Sequence, residues 1–161
     1  SDLVTKILYK ASNGLLVLYE NNEYKIIDDA RVLVRLDPGD EIVASLAEVA
    51  KQEKIELAIV QGLGAVNRVV MGVYNVTSQE YKANTMEGAF EMLSLTGTMD
   101  TMNGSPYSHF HISIGDAQGH AYGGHLNEAV ISATAEIVVT KLPGKVDRVK
   151  SEETGLNIWK F

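Results

Sequence analysis

The sequence predicts an α+β domain: a strongly curved, mostly antiparallel sheet with one main helix. Three observations lead there. A single segment has clear helical periodicity, with apolar residues at Ile42, Leu46, Val49 and Ala50. From Leu57 to Leu142 the chain passes through strand-like stretches at 57–60, 69–76, 90–99, 108–114, 120–126 and 130–142, rich in β-branched and aromatic residues. Their connections are short and glycine-bearing, which favours antiparallel pairing, and one helix among so many strands excludes a doubly wound parallel sheet. With 161 residues, 45% of them hydrophobic and 22% charged, the chain reads as one domain over 1–161. An N-terminal hairpin and a C-terminal tail are expected to pack on it.

Taken in order, residues 15–19 read as a strand, 20–23 as a polar turn and 24–27 as its return. Residues 31–36 alternate and stop at the turn Asp37-Pro38-Gly39. The helix follows, with Asp40 as N-cap and Glu41 in the first turn, near the positive end of the helix dipole. Its stripe leaves Glu41, Ser45, Glu48 and Gln52 outside. Gly62-Leu63-Gly64-Ala65-Val66-Asn67 lacks the third glycine and following helix of a dinucleotide loop, so it reads as a tight glycine turn. Asn103-Gly104 reads as a turn, Asn75-Val76-Thr77 as a strand end, and the five methionines as core filler. Leu156, Ile158, Trp159 and Phe161 are apolar enough to dock as a closing strand or tail.

Composition narrows the function. The absence of cysteine excludes disulfides, thiolate catalysis and thiolate metal sites. The longest apolar run near the start, 15–19, is too short for an export signal or a membrane span, so a cytoplasmic location without membrane association is expected. Fourteen basic residues against 21 acidic ones give a net charge of −7, which repels nucleic acid. The densest basic run, Lys141, Lys145, Arg148 and Lys150, is diluted by Asp147, Glu152 and Glu153 and reads as a solvated face.

The chemistry concentrates in the histidines, since all 4 lie between positions 109 and 125. Alternation over 108–114 places His109, His111 and Ser113 on one strand face and Phe110, Ile112 and Ile114 on the other. A five-residue loop over 115–119 would set Ile114 opposite His120, Ile112 opposite Tyr122, His111 opposite Gly123 and His109 opposite His125. Opposed residues share a face with β-carbons about 5 Å apart, so His109, His111 and His125 converge while His120 stays at the surface. Gly123 would leave room beside His111. A one-residue slip would break the trio. Three imidazoles with an open position form the catalytic zinc pattern, so zinc or another divalent metal is the expected cofactor.

Two carboxylates are candidates for catalytic work at this site. Glu136 lies with Ser132 and Thr134 on the polar face of its strand, as fourth ligand, orienting group or general base. Glu91 alternates with Leu93 and Leu95, where an ionised carboxylate requires a partner such as Arg35.

These residues resemble the plant and prokaryote conserved domain, called the PPC domain, over 31–142. The resemblance is carried by Leu36-Asp37-Pro38-Gly39-Asp40, Gly62-Leu63-Gly64-Ala65-Val66, Gly88-Ala89-Phe90-Glu91-Met92-Leu93-Ser94-Leu95-Thr96-Gly97, His109-Phe110-His111 and Gly123-Gly124-His125-Leu126. It implies a homotrimer of α+β subunits with a histidine-lined site at His109, His111 and His125. Plant members join the domain to an AT-hook with an Arg-Gly-Arg-Pro core; this chain has no such tetrapeptide, and it carries Ala89 where the plant motif has arginine. More distantly, the fold and histidine arrangement resemble zinc-dependent acetolactate decarboxylase. Three functions stay open: a zinc-binding protein of this family, a metal-dependent lyase or hydrolase acting on a small carbonyl or carboxylate, and a DNA-associated regulatory module. A small-molecule ligand and self-association are expected partners; nucleic acid bound by this chain alone is not.

Overall fold

The computed structural model describes residues 6–11, 14–19 and 22–161, with side chains from Glu23 onward. The first four strands form a meander: β1 (Lys6–Ala11), β2 (Gly14–Tyr19), β3 (Asn22–Ile26) and β4 (Arg31–Leu36), each antiparallel to the one before. The pairing of β2 with β3 is the hairpin expected from 15–19 and 24–27, and residues 20 and 21 of its turn lie outside the described residues. Strict alternation in β4 buries Val32, Val34 and Leu36 and turns Arg31, Leu33 and Arg35 outward.

Helix α1 (Ile42–Gln52) buries Ile42, Leu46, Val49 and Ala50, as the periodicity requires. Ser45, expected outside, is buried with them, because it stands three residues after Ile42 and four before Val49, within the same stripe. The cap also differs from expectation: Glu41, not Asp40, is the N-cap. Its carboxylate accepts from the amides of Val43 and Ala44 at 2.9 Å, while Asp40 accepts from the Asp37 amide at 2.8 Å and closes the preceding turn. Glu41 also accepts from the Ala129 amide at 2.9 Å, tying the helix start to the sheet.

The remaining strands are β5 (Ala58–Asn75), β6 (Glu80–Met102), β7 (Ser105–Gly115), β8 (Ala121–Lys141), β9 (Asp147–Lys150) and β10 (Asn157–Lys160). Two expected breaks are absent. Residues 120–126 and 130–142 belong almost wholly to one strand, β8, and the glycine turn at 62–67 lies inside β5. The glycines are there for close approach: a β-carbon on Gly64 would stand 2.4 Å from the Thr134 carbonyl oxygen, and one on Gly62 would stand 2.8 Å from Ile137 Cγ1. Register shifts at Gly62/Gly64 and Val66/Arg68 bend the strand without ending it. Asn103 and Gly104, at φ 53° and 78°, make the expected two-residue turn between Met102 and Ser105.

Strand β5 pairs with β6 and β8, and β7 pairs with the same two strands, so these four close into a ring. This closure is the strong curvature expected of the sheet. Strand β4 extends the sheet from β8; β9 meets β6 through the parallel bridge Thr101–Asp147, and β10, formed from the apolar tail, pairs with β9 at the edge of the sheet. The buried faces of the ring, with Val60, Leu95, Phe110, Ile112 and Ile137, form one hydrophobic cluster with the stripe of α1. Met71, Met92 and Met99 fill that core as expected. Among the described residues, no helix is long and apolar enough to cross a membrane.

The contact between Gly64 and β8 sets a test of this packing. Gly64→Ala should destabilise the protein by about 1–3 kcal/mol, as overpacking does. Urea unfolding measures it, and an unchanged midpoint would show that β8 can move away.

Candidate metal centre

Alternation along β7 buries Phe110, at 2% exposure, and Ile112, at 3%, and turns His109 and His111 to the opposite face. On β8, His125 is the direct cross-strand partner of His111, and His109 lies diagonal to it. The three rings stand 5.1 to 5.9 Å apart between centroids, and one ligand nitrogen from each lies within 4.8 Å of the others. The trio converges, in a register two residues from the expected one. Ser113, not His111, faces Gly123, and Ile114 faces Tyr122.

The reason for the shift is Asp116. Its carboxylate accepts from the amides of Gln118 and His120 at 3.0 and 2.9 Å, so the five-residue loop covers 116–120 and Gly115 stays in the ladder opposite Ala121. A shift of two preserves the face of every side chain, which is why His125 still joins the site. His120 sits in the loop, exposed, with Nδ1 3.3 Å from Asp116 Oδ2, away from the trio.

Neither candidate carboxylate reaches the histidines within one chain. Glu136 is eleven residues beyond His125 on β8, roughly 35 Å of extended strand, where it opposes Arg35 and Leu63 beside a separate groove. Glu91 opposes Gly115, whereas His111 opposes Thr96, five residues further along β6. A bulge between Met92 and Ser94 breaks the alternation there: Glu91 is exposed, Leu93 is 52% exposed and Leu95 is buried. Arg35 is not its partner; it pairs with Glu23 and with Asp37.

The structure adds residues that sequence reasoning missed. Asp100, fully buried, takes the Arg148 guanidinium in a two-pronged ion pair at 2.8 and 2.9 Å and also accepts from Trp159 Nε1 at 2.8 Å. Arg148 Nη1 donates to the Asn157 carbonyl at 3.0 Å, and the guanidinium lies 4.8 Å from the centre of the Tyr107 ring. Arg148, expected on a solvated basic face, is therefore buried beside the histidines, because a guanidinium with these partners tolerates burial. Removing one partner of such a pair costs about 3–5 kcal/mol. On the other side, the Tyr81 hydroxyl lies 2.5 Å from Asn127 Oδ1 and 3.2 Å from the His125 carbonyl, and its ring meets the His125 imidazole edge-on. Arg148 stood out in the sequence only as part of a basic run and Trp159 only as part of an apolar tail, and nothing local marked Asp100, Tyr81 or Tyr107.

Burial, followed by the nearby His125 and His111, lowers the pKa of His109; burial, followed by His111, lowers that of His125. Both imidazoles are thereby held neutral, the form in which histidine ligates a metal.

Residues 28–143 match the Plants and Prokaryotes Conserved (PCC) domain. A candidate DNA-binding protein of Bacteroides thetaiotaomicron superimposes with TM-score 0.80 at 26% identity, covering 97% of each chain. A metal-containing protein of Archaeoglobus fulgidus superimposes with TM-score 0.77 at 32% identity over 81% of this chain and 93% of that one. A plant- and prokaryote-conserved (PPC) protein of Pyrococcus horikoshii gives 0.76 at 28% identity, over 98% and 95%. The bifunctional protein GlmU of two Synechococcus strains is 28% and 30% identical over 68% and 66% of this chain, which spans only 16% of their length. An acetolactate decarboxylase of Bacillus subtilis aligns at TM-score 0.48 and 12% identity over 81% of this chain and 70% of that one, a likeness too distant to carry a chemical argument.

The lowered histidine values have a measurable consequence. With folded-state values below the ordinary 6.5, His109 and His125 bind fewer protons folded than unfolded, so their contribution to stability is present above that pH and lost as pH falls through the folded values. Urea midpoints of metal-free protein should fall from about pH 7 to about pH 5. The double variant His109→Gln, His125→Gln should show a flatter profile, and equal slopes would contradict the assignment.

Proposed function

The chain belongs to the Plants and Prokaryotes Conserved (PCC) domain family, and on that premise we propose that His109, His111 and His125 together hold one divalent metal ion, preferentially zinc. The observation that carries this reading is the convergence of three imidazole nitrogens within 4.8 Å of one another. The donor set fits: neutral imidazoles suit late first-row divalent ions, and their number leaves a position for an exogenous ligand, as in catalytic zinc sites. The metal-containing relative from Archaeoglobus, at 32% identity, supports the same reading.

Such an ion supplies Lewis acidity toward a bound oxygen. The chain's own residues supply position and enclosure. Tyr81 braces the backbone and ring of His125, and Thr96 and Thr98 on β6 flank His111 and His109. Asp100 and Arg148 fix the wall opposite. This support for a metal centre is stronger than that for DNA association, because the net charge is −7 and Arg148 is withdrawn from the basic run into a buried ion pair.

We also propose that the protein is a homotrimer, in keeping with the family resemblance. Leu33, Leu63 and Val138 are exposed on one groove along β4, β5 and β8, an apolar surface suited to a second copy.

Titration calorimetry with zinc alone tests the centre. One ion per chain is expected, and alanine at His109, His111 or His125 should weaken binding by more than the roughly 10–100-fold that loss of an outer hydrogen-bond partner costs. His120→Ala should bind as the parent does, and affinity should drop below about pH 6 as the imidazoles protonate. Absence of binding by the parent overturns the proposal. For assembly, light scattering should report three subunits, with Leu63→Asp shifting the population toward monomers; a monomeric parent removes this part.

A further inference from the structure

The chamber in front of the histidines has a volume of about 920 Å³, within the roughly 300–1,000 Å³ typical of small-molecule sites. Its walls are largely aromatic and aliphatic, with Tyr74, Tyr81, Tyr107, Leu156, Ile158 and Trp159. Among the described residues lining it there is no Asp, Glu or Lys. Arg148, the one permanently charged wall residue, directs its charge to Asp100. The tyrosine hydroxyls are engaged as well: Tyr74 donates to the Thr154 carbonyl at 2.7 Å, and Tyr107 accepts from the Asn157 amide at 3.3 Å.

Charge and surface then point the same way. Three imidazoles are neutral ligands, and the carboxylate whose charge reaches His109, that of Asp100, is already compensated by the Arg148 guanidinium, so a divalent ion held by the trio keeps its double positive charge. Leu156, Ile158 and Trp159 are 39%, 45% and 42% exposed, and together they form one apolar wall of the chamber. An inorganic anion would answer the charge and leave this wall wet. A neutral apolar molecule would cover the wall and leave the charge.

We infer that the site takes a small organic carboxylate with a flat aromatic or branched apolar body, the carboxylate directed to the centre of His109, His111 and His125 and the body against Ile158 and Trp159. The inference rests on the metal reading above and names the ligand class of that same centre. The aromatic body stacks or packs edge-on with the indole, an arrangement that adds to the area it buries. Specificity thus comes from two ends: the ion selects the anion, and the C-terminal hairpin of β9 and β10 selects the apolar body.

Trp159 is the only tryptophan in the sequence, so its emission reports ligand arrival directly. Full-length protein is first loaded with zinc and its stoichiometry measured with zinc alone. It is then titrated with benzoate, acetate and benzyl alcohol, followed by tryptophan fluorescence and calorimetry. Benzoate should bind saturably and at least tenfold tighter than either acetate, which lacks the body, or benzyl alcohol, which lacks the charge. Stripping the zinc or introducing His111→Ala should weaken benzoate at least tenfold. Ile158→Asp, at an exposed position, should weaken benzoate while leaving zinc uptake unchanged. Equal affinity for acetate and benzoate, or benzoate binding that survives zinc removal, overturns the inference. Zinc uptake without benzoate binding overturns the inference alone, whereas no zinc uptake overturns the metal reading with it.

Discussion

Closing β5, β6, β7 and β8 on one another forces long strands to bend sharply, and two of the three histidines, His109 and His111, sit on the strand held in that closure. Strand β7 is hydrogen-bonded along both edges, to β6 and to β8. It cannot slide without breaking two ladders, and its core face, Phe110, Ile112 and Ile114, would leave the hydrophobic cluster if it rotated. The imidazole of His111 therefore projects from a backbone paired on both sides, to Thr96 and to His125, and that of His109 from a backbone paired with Thr98 of β6. Gly97 shows how tightly: a β-carbon there would stand 2.0 Å from the His109 carbonyl oxygen. A centre built on such a strand needs little reorganisation to receive a ligand.

Polar burial near the site follows from the same closure. Asp100 lies near the end of β6, fully buried, and an ionised carboxylate in that position requires compensation. It receives it from Arg148 on β9 and from the Trp159 indole on β10, so the C-terminal hairpin is drawn over the chamber. Arg148 in turn is satisfied by Asn157 and lies against Tyr107. Among the described residues, no buried side-chain nitrogen or oxygen lacks a partner. A fully satisfied network of this kind adds a defined position for the hairpin more than it adds stability, since two buried charges lose much of their attraction to desolvation.

Several features were legible in the sequence because they are local. The stripe of α1, the alternation of β7, the turn at Asn103-Gly104 and the apolar tail of 156–161 each follow from neighbours a few residues apart. The histidine trio was legible for a less secure reason: the loop length was right at five residues, but the loop begins at Asp116, whose carboxylate caps the amides within it. The resulting error of two residues is even, so every side chain kept its face. Glu91 had no such protection. One bulged residue at 92–94 reverses the phase of the strand beyond it, and alternation counted through the bulge fails. Gly62 and Gly64 failed for a related reason, since glycine signals a turn and a close crossing of backbones equally well.

Along β7, which has no bulge between His109 and Ile114, the order of residues alone settled which side chains share a face, because the two-residue period of a strand is a property of the local backbone. It was enough to put His109 and His111 together and to set Phe110 against the core. The tertiary structure alone decided which strands share edges, and hence that Glu136 lies roughly 35 Å along β8 from His125 while Arg148 and Trp159, far away in sequence, wall the histidine chamber. Edge sharing is the outcome of summed packing and hydrogen bonding over the whole sheet. No window of sequence contains that sum, so the residues that enclose the site become visible only when the ring has closed.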